Sequence, residues 1–509
     1  MQKKKILIIG AGPGGLTNAM VLAHRGFDVT VFEKEDTVGG RNAPIRLNGY
    51  TFDTGPTFLM MGFILKEMFA EAGKKMEDYL TVKRIDPLYR LKFRDYEVHP
   101  TGDSAKMKEQ IAALFPGDEG GYEKFIDKES RRFEKLFPCL QKSYSSPADY
   151  LSSRFINAIP YFSLFSTMFQ KLGDYFSTDD LKLAFTFQAK YLGMSPWECP
   201  AAFTMVPLIE HKYGIYHVIG GLNAISLAME KAAAEEGAVI KKEARVKRII
   251  TEKRTARGVE LENGEVYTGD AVVLNADFAY GVTRLFDDGV IRKYTRRKLD
   301  RMNFSCSIFM LYLGVNKKYD IPHHNIFFAD DYKANVDAIF KEKTLCRDTS
   351  FYIQNASVID PTLAPEGKSA LYILVPVANN RSHIDWEGEK ESWKNHILDL
   401  VEQRTELKDI RQHIEAEKVI TPRDWEDSYN VFLGATFNLG HNLSQMLYLR
   451  PRNKFEEVNN LYLTGGGTHP GSGLPTIYES ARISANLICE EFGVPFSAPG
   501  PLPEKPLLD

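Results

Sequence analysis

Short, unbroken apolar runs recur along this chain, and several stand directly before glycine. Ile6–Ile9 is the first, the pattern of a strand buried on both faces. Gly10-Ala11-Gly12-Pro13-Gly14-Gly15 follows at once. Leu16–Arg25 then reads as a helix, Gly26 ends it, and Val29–Phe32 predicts a second strand with Glu33 at its end. Ala271–Asn275 and Asn460–Thr464 have the same continuous apolar character and predict two more buried strands. The last of these runs into a second glycine-rich turn, Gly465 to Pro475, and an amphipathic helix over Thr476–Glu491.

The intervening segments have other periods. Tyr89–Phe93 alternates apolar and basic residues and, with the stretch to His99, predicts strands; Lys106–Phe137 has helical periodicity with charged faces. LNAISLAMEKAAAEEG, from Leu222, predicts a helix entered through Gly220-Gly221. AVIKKEARVKRIITEK, from Ala238, has a strand pattern, and Glu262-Asn263-Gly264 is a hairpin signal. SIFMLYLGVN and ALYILVPVA predict long strands. Glu391–Glu406 predicts a helix with an apolar stripe of Trp393, Ile397, Leu400 and Val401. Residues 155–176 are dense in aromatics but broken by Pro160. They read either as a buried core helix or as an interfacial segment, dipping into one membrane leaflet or forming the mouth of an apolar tunnel. The proline-rich stretch after Val494 predicts a poorly ordered tail.

Composition narrows the class. At 509 residues the chain exceeds what one hydrophobic core supports, so two domains or one elaborated domain are expected. Charge nearly cancels, with 64 basic against 67 acidic residues, which argues against nucleic acid as a partner. Cys139, Cys199, Cys306, Cys346 and Cys489 are scattered, form no C-x-x-C pair and have no histidine at ligand spacing. They read as free thiols in a reducing compartment, with no metal site. Lys3-Lys4-Lys5 before an apolar run resembles the start of a signal peptide, but the run breaks at once into glycines. No apolar stretch is long enough to span a bilayer, so the expected location is cytoplasmic, with attachment to a membrane surface open.

The first turn carries specific chemistry. Gly10 permits a tight turn, Gly12 lets backbone approach a pyrophosphate, and Gly15 lets the helix pack on the strand. The helix start offers free N–H groups to the phosphates, and Glu33 stands where an acid accepts from ribose hydroxyls. Together these define a dinucleotide site. Val38-Gly39-Gly40-Arg41 and Phe52–Thr57 add a second glycine pair and an arginine, which a plain NAD dehydrogenase does not need. There is no second dinucleotide fingerprint for a tightly bound NAD(P).

On these residues the chain resembles the FAD-dependent amine oxidase and carotenoid desaturase superfamily. Thr468-His469-Pro470-Gly471-Ser472-Gly473-Leu474-Pro475 is similar to the signature of bacterial-type phytoene and dehydrosqualene desaturases. So are Leu363–Gly367, Thr421–Asp424 and Arg450–Asn453. Two departures stand out: many members read G-A-G-I-P where this chain has Gly471 to Pro475, and one fewer glycine than Gly465-Gly466-Gly467.

The resemblance implies an α/β fold: a Rossmann-like FAD-binding domain of the glutathione-reductase type with an interleaved α+β substrate domain. Residues 1–85, 213–295 and 454–494 would be three parts of the FAD domain. Residues 86–212 and 296–453 would form the substrate and membrane-associating domain, and 495–509 the tail. It implies FAD held by Gly10, Gly12, Pro13, Gly14, Gly15, Glu33, Lys34, Gly40, Arg41, Gly55, Pro56, Thr57, Val246, Gly466, Gly467, Gly473, Leu474 and Pro475. Glu33 would bind the adenosine ribose, Gly40-Arg41 would lie near the pyrophosphate and ring system, and Val246 would meet the adenine through its backbone. The second glycine turn would meet the ribityl chain and the flavin, where N–H groups stabilise charge gathered on reduction.

The reaction implied is desaturation of a long apolar isoprenoid, with hydride passing to the flavin and a proton leaving the neighbouring carbon. Oxygen or a quinone would take the electrons onward, and substrate insolubility would place the enzyme on a membrane surface. Such chemistry needs alignment more than a strong base. His217, Glu210 and His469 are candidate proton acceptors, but each also reads as an ordinary hydrogen-bonded residue, and no catalytic residue is assigned. Relatives of the same fold with other outcomes are an isomerase, a saturase, a terminal-methyl oxidase, an amine oxidase and a non-enzymatic prenyl-chain carrier.

Overall fold

The computed structural model describes residues 3–504, 506 and 507. Its first layer is a five-stranded, all-parallel sheet. Lys5–Ile9 lies at the centre, with Asp28–Phe32 and Val239–Lys241 on one side and Ala271–Leu274 and Leu461–Leu463 on the other. The apolar runs are unbroken because helices Pro13–His24, Asn223–Glu235 and Leu474–Phe492 pack together beside this sheet while a second core covers its other face. Thus residues more than 450 positions apart in sequence share one sheet, and both glycine turns leave it at the same strand ends.

The second layer is a seven-stranded mixed sheet. Its long central strands, Ser307–Val315 and Ser369–Val377, pair antiparallel over their whole length, Ser307 opposite Val377 and Val315 opposite Ser369. One face is covered by the helix Trp386–Arg404, where Phe309, Leu311 and Leu313 meet Trp393, Ile397 and Val401. The opposite face carries Ile308, Met310, Tyr312 and Tyr372 and turns toward the first layer, packing on Tyr50 and Phe52. A strand buried on both faces needs this second covering, hence the run SIFMLYLGV.

Several expectations are adjusted. The helical stretch Lys106–Phe137 is two helices, Ser104–Leu114 and Glu119–Leu140, interrupted at Pro116-Gly117, where Gly117 takes φ +99°. The strand pattern from Ala238 divides between two sheets: Val239–Lys241 joins the parallel sheet, and Val246–Glu252 begins a three-stranded antiparallel one. Residues 155–176 are not one buried helix. Short helices Ser153–Ala158 and Met168–Leu172 flank a tip on which Ile159, Leu164 and Phe165 are exposed, because Pro160 and the run after it cannot continue a helix. None of these residues lines the large cavity described below, so the segment does not form its mouth. The described part of the tail is docked: Leu502 and Leu507 pack on the main core, and the Leu507 N–H donates to Tyr216 Oη at 3.1 Å. Among the described residues no helix is long and apolar enough to cross a membrane.

Candidate functional site

One cavity of about 470 Å³ runs from the ends of the parallel strands to the inner face of the mixed sheet. Its two halves are built differently.

The first half is made largely of backbone. The helix Pro13–His24 starts at Gly12 and the helix Leu474–Phe492 at Gly473. Neither first turn has a side-chain cap, and each has proline in its first turn, where no N–H is needed. Gly10, Gly12, Pro13 and Gly14 from one start, and Gly466, Gly473, Leu474 and Pro475 from the other, line the same cavity. Two uncapped helix starts therefore present unpaired N–H groups and positive dipole ends to one volume, which suits an anionic cofactor. The Asn275 side chain ties the first turn, donating to Gly10 O at 3.0 Å. Gly15 does not face the cavity; a Cβ there would stand 2.1 Å from Gly10 O, so only glycine lets the helix close on the strand.

Glu33 sits on the cavity wall with its carboxylate accepting from the Ala11 N–H at 2.8 Å and the Glu35 N–H at 3.1 Å. Burial pushes its pKa up against those two hydrogen bonds. Lys34 also lines the wall, but its ammonium is engaged by Ser428 O and Glu35. Val246 lines it beside Phe32 and Arg245. Gly40, Arg41, Gly55, Pro56 and Thr57 line the middle. The Arg41 guanidinium donates to Thr436 O and, at 2.8 Å, to the amide oxygen of Asn438, whose amide nitrogen donates to Asp277 Oδ2 at 2.7 Å. Burial disfavours both charges, lowering the Arg41 pKa and raising that of Asp277, and the two partly offset each other across the amide. Gly467, like Gly15, departs from the expected set: it does not line this cavity, and a Cβ there would meet Phe278 at 2.5 Å.

The second glycine turn is held by an arginine that motif spacing alone did not assign. Arg450 is fully buried, and its guanidinium donates to the carbonyls of Thr468, Gly440, Gln445, Leu439 and Gly466 at 2.7–3.2 Å. Burial pulls its pKa down to about 9. Asn453 donates to His469 O at 2.9 Å. The Arg-Pro-Arg-Asn motif thus folds the turn rather than touching a ligand.

The second half of the cavity is side chain, nearly all apolar or aromatic: Phe58, Tyr191, Ile308, Tyr352, Tyr372, Leu374 and Phe437 come from six separate segments. Among the described residues Lys190 is the one ammonium lining this half, its Nζ 4.6 Å from the centre of the Tyr332 ring, and burial lowers its pKa to about 8. The three sequence candidates for proton acceptance stand outside the cavity lining. Glu210 is wholly buried, accepts from Tyr89 Oη and Gln188 Nε2, both at 2.8 Å, and has its pKa raised by burial to about 7. His469 packs edge-on to Tyr144, and burial, with the nearby Arg450 charge, lowers its pKa to about 3. His217 is buried against Asp360.

A parallel sheet with two bare helix starts on one crevice, opening into an aromatic chamber, defines a dinucleotide-dependent oxidoreductase fold. The family model for flavin-containing amine oxidoreductases matches residues 13–489, and the chain belongs to that family. Within it the chain groups with the carotenoid desaturases. It is 51% identical over 493 residues to a 4,4'-diapophytoene desaturase (4,4'-diapolycopene-forming) of Methylomonas sp, covering 97% of this chain and 96% of that one. It is 38% identical to a zeta-carotene-forming phytoene desaturase of Myxococcus xanthus, covering 95% of this chain and 93% of that one. In fold it is similar to a putrescine oxidase, with TM-score 0.62 at 13% identity over 96% of this chain and 99% of that one. It is also similar to a Rab GDI of Plasmodium falciparum, with TM-score 0.53 at 10% identity over 96% and 98%. A flavin in a dinucleotide crevice is FAD, and FAD is the cofactor.

Proposed function

We propose that this protein is an FAD-dependent desaturase that introduces double bonds into a long isoprenoid of the phytoene or dehydrosqualene type, in carotenoid biosynthesis. The observation that carries the reading is the continuity of the cavity: the crevice with bare helix starts opens directly into an aromatic, nearly uncharged chamber. An apolar chain held in that chamber would lie next to the cofactor crevice. FAD supplies the acceptor for hydride. The chain's own part is to bind, align and keep water out. The resemblance to the Methylomonas relative favours the thirty-carbon 4,4'-diapophytoene over phytoene.

The cofactor set is read from the same cavity. Glu33 and Val246 hold the adenosine end, Gly10 to Gly14 the pyrophosphate with Gly40 and Arg41, and Gly55, Pro56, Thr57, Gly466, Gly473, Leu474 and Pro475 the ribityl and ring end. Gly15 and Gly467 serve as packing positions beneath the two turns. The interleaved division, with residues 1–85, 213–295 and 454–494 as the FAD domain, is supported by the parallel sheet to which each of those segments contributes a strand. Oxygen or a quinone takes the electrons from the reduced cofactor. The enzyme works from the cytoplasmic side as a peripheral membrane protein, attached through the exposed apolar tip of Leu151, Ile156, Ile159, Leu164 and Phe165.

The test is pigment analysis in bacteria supplying phytoene or dehydrosqualene. New longer-wavelength bands, two hydrogens fewer per step, are expected with dehydrosqualene. Unchanged precursor in both hosts from a yellow protein would overturn the reading in favour of an isomerase, a saturase or a terminal-methyl oxidase.

A further inference from the structure

Three buried histidines stand in line behind the cavity wall. Tyr352 lines the cavity, and its Oη lies 2.5 Å from His324 Nδ1. His324 Nε2 is 3.0 Å from His323 Nδ1, and His323 Nε2 is 3.3 Å from His217 Nδ1. His217 Nε2 is 2.8 Å from Asp360 Oδ2. The other Asp360 oxygen accepts from Thr362 Oγ1 at 2.6 Å, and Thr362 is exposed. None of the three rings or Asp360 is more than 5% exposed. The line therefore joins the apolar chamber to the protein surface at a second point.

One assignment of protons satisfies every ring contact in the line, with Tyr352 Oη also 3.0 Å from Thr57 Oγ1. Asp360 is ionised and His217 donates to it from Nε2. His217 Nδ1 accepts from His323 Nε2–H, His323 Nδ1 accepts from His324 Nε2–H, and His324 Nδ1 accepts from the Tyr352 hydroxyl. The electrostatics agree. Burial holds His323 well below the ordinary imidazole range and His324 at about 3, so both are neutral. Burial opposes the charge on Asp360, but hydrogen bonds from His217, Thr362 and Gly220 outweigh it and hold the carboxyl at about 2. Every ring then points the same way, able to take a proton at Nδ1 and release one from Nε2.

We propose that Tyr352, His324, His323, His217 and Asp360 form a proton relay that carries the proton lost by the substrate out of the cavity to the surface at Thr362. This rests on the desaturase reading. Each new double bond removes two hydrogens, one leaving with its electron pair to the flavin and the other as a proton. The electron pair of that second C–H bond becomes the π bond. The proton is taken at the Tyr352 oxygen as the hydroxyl proton passes to His324 Nδ1. A proton moves on from each Nε2 in turn, Asp360 receives the last, and water at Thr362 takes it. Tyr352 meets the reacting chain; the histidines act through it and are positioning and conducting groups.

The decisive variant is His323→Phe, which cuts the line at its centre. Purified protein is loaded with substrate without oxygen, and bleaching of the flavin is followed in H2O and D2O. The expected result is wild-type flavin content, bleaching slowed on the order of 100-fold, and loss of the solvent isotope effect seen in wild type. Asp360→Asn, which keeps shape and removes the terminal acceptor, gives the same test if His323→Phe does not fold. A second readout needs no substrate or flavin turnover. In protein labelled with 15N-histidine, the two resonances lost in the His323 and His324 variants are expected to be neutral Nε2–H rings from about pH 5 to about pH 8. Wild-type bleaching rate in a folded, flavin-loaded His323→Phe, or Nδ1–H tautomers in the line, overturns the relay. Failure of every polyene to bleach the wild-type flavin overturns the desaturase reading instead, so the two failures are separable.

Discussion

The two halves of the cavity differ in what they are made of. The nucleotide half is backbone: glycine turns, two bare helix starts, and a carboxylate that caps a neighbouring N–H. The chamber is side chain, drawn from strands and loops spread between Phe58 and Phe437. Backbone geometry is fixed by residue types a few positions apart, so the first half tolerates almost no substitution. A chamber needs only shape and low polarity, so the second half admits change, and substrate choice resides there.

The largest break in that comparison is expected at Gly15. Gly15→Ala drives a Cβ into Gly10 O, 2.1 Å away, where backbone cannot yield. It should cost about 3 kcal/mol of stability and leave the protein colourless. Flavin absorbance and thermal unfolding check both.

Leu374→Trp should separate the halves. Leu374 lines the chamber on a central strand of the mixed sheet. The variant should purify yellow, with wild-type flavin content, yet form roughly tenfold less coloured product as the added bulk takes up substrate space. Loss of flavin together with product would mean that the halves do not act independently.

A pH effect is expected behind the chamber wall. Glu210 supports it from behind through a hydrogen bond to the lining residue Tyr191, alongside those to Tyr89 and Gln188, and its pKa is raised from 4.5 to about 7 by burial. The folded protein holds this proton where the unfolded chain has released it. The stabilisation is therefore full below pH 4.5 and is lost as pH rises through about 7. Glu479, raised to about 7 by burial, adds a second slope of the same sign. Glu210→Gln should flatten the decline in melting temperature between about pH 5 and about pH 8, a difference on the order of 3 kcal/mol, with flavin content unchanged. A decline as steep as wild type would assign the effect elsewhere.

The smallest effect is expected outside both halves. Phe165→Ser removes a fully exposed ring from the apolar tip. Vesicle binding should fall about tenfold, while turnover of detergent-presented substrate stays as in wild type. Unchanged vesicle binding would detach this tip from membrane attachment.

What could be read ahead of the structure follows the same division. The first strand, its glycine turn, the following helix and Glu33 are contiguous, and each residue type has one conformational reason to be there. Arg450 was visible only as part of a motif. That it binds five carbonyls depends on two separate stretches, 439–445 and 466–468, folding around it. Gly467 looked equivalent to Gly466, yet the two face opposite ways, because side-by-side residues in a turn differ in direction and no periodicity says which is inward. The aromatics of 155–176 carried no more than density; the break at Pro160 leaves their tip in solvent.

His217, His323 and His324 make the limit concrete. In sequence one histidine stands about a hundred residues from an adjacent pair, with Tyr352 and Asp360 farther on, and nothing in their spacing relates them. Their alignment arises because His217, on the strand Ile215–Val218 of a separate two-stranded sheet, meets His323 at the start of the strand His324–Phe327, which pairs with Phe351–Asn355 in the mixed sheet. By itself the sequence determined the cofactor turn, the buried strands and the class of chemistry, since those rest on local backbone constraint. The chamber, the buried arginine and the histidine line were decided only by tertiary structure, since each is a set of long-range contacts that local propensity does not encode.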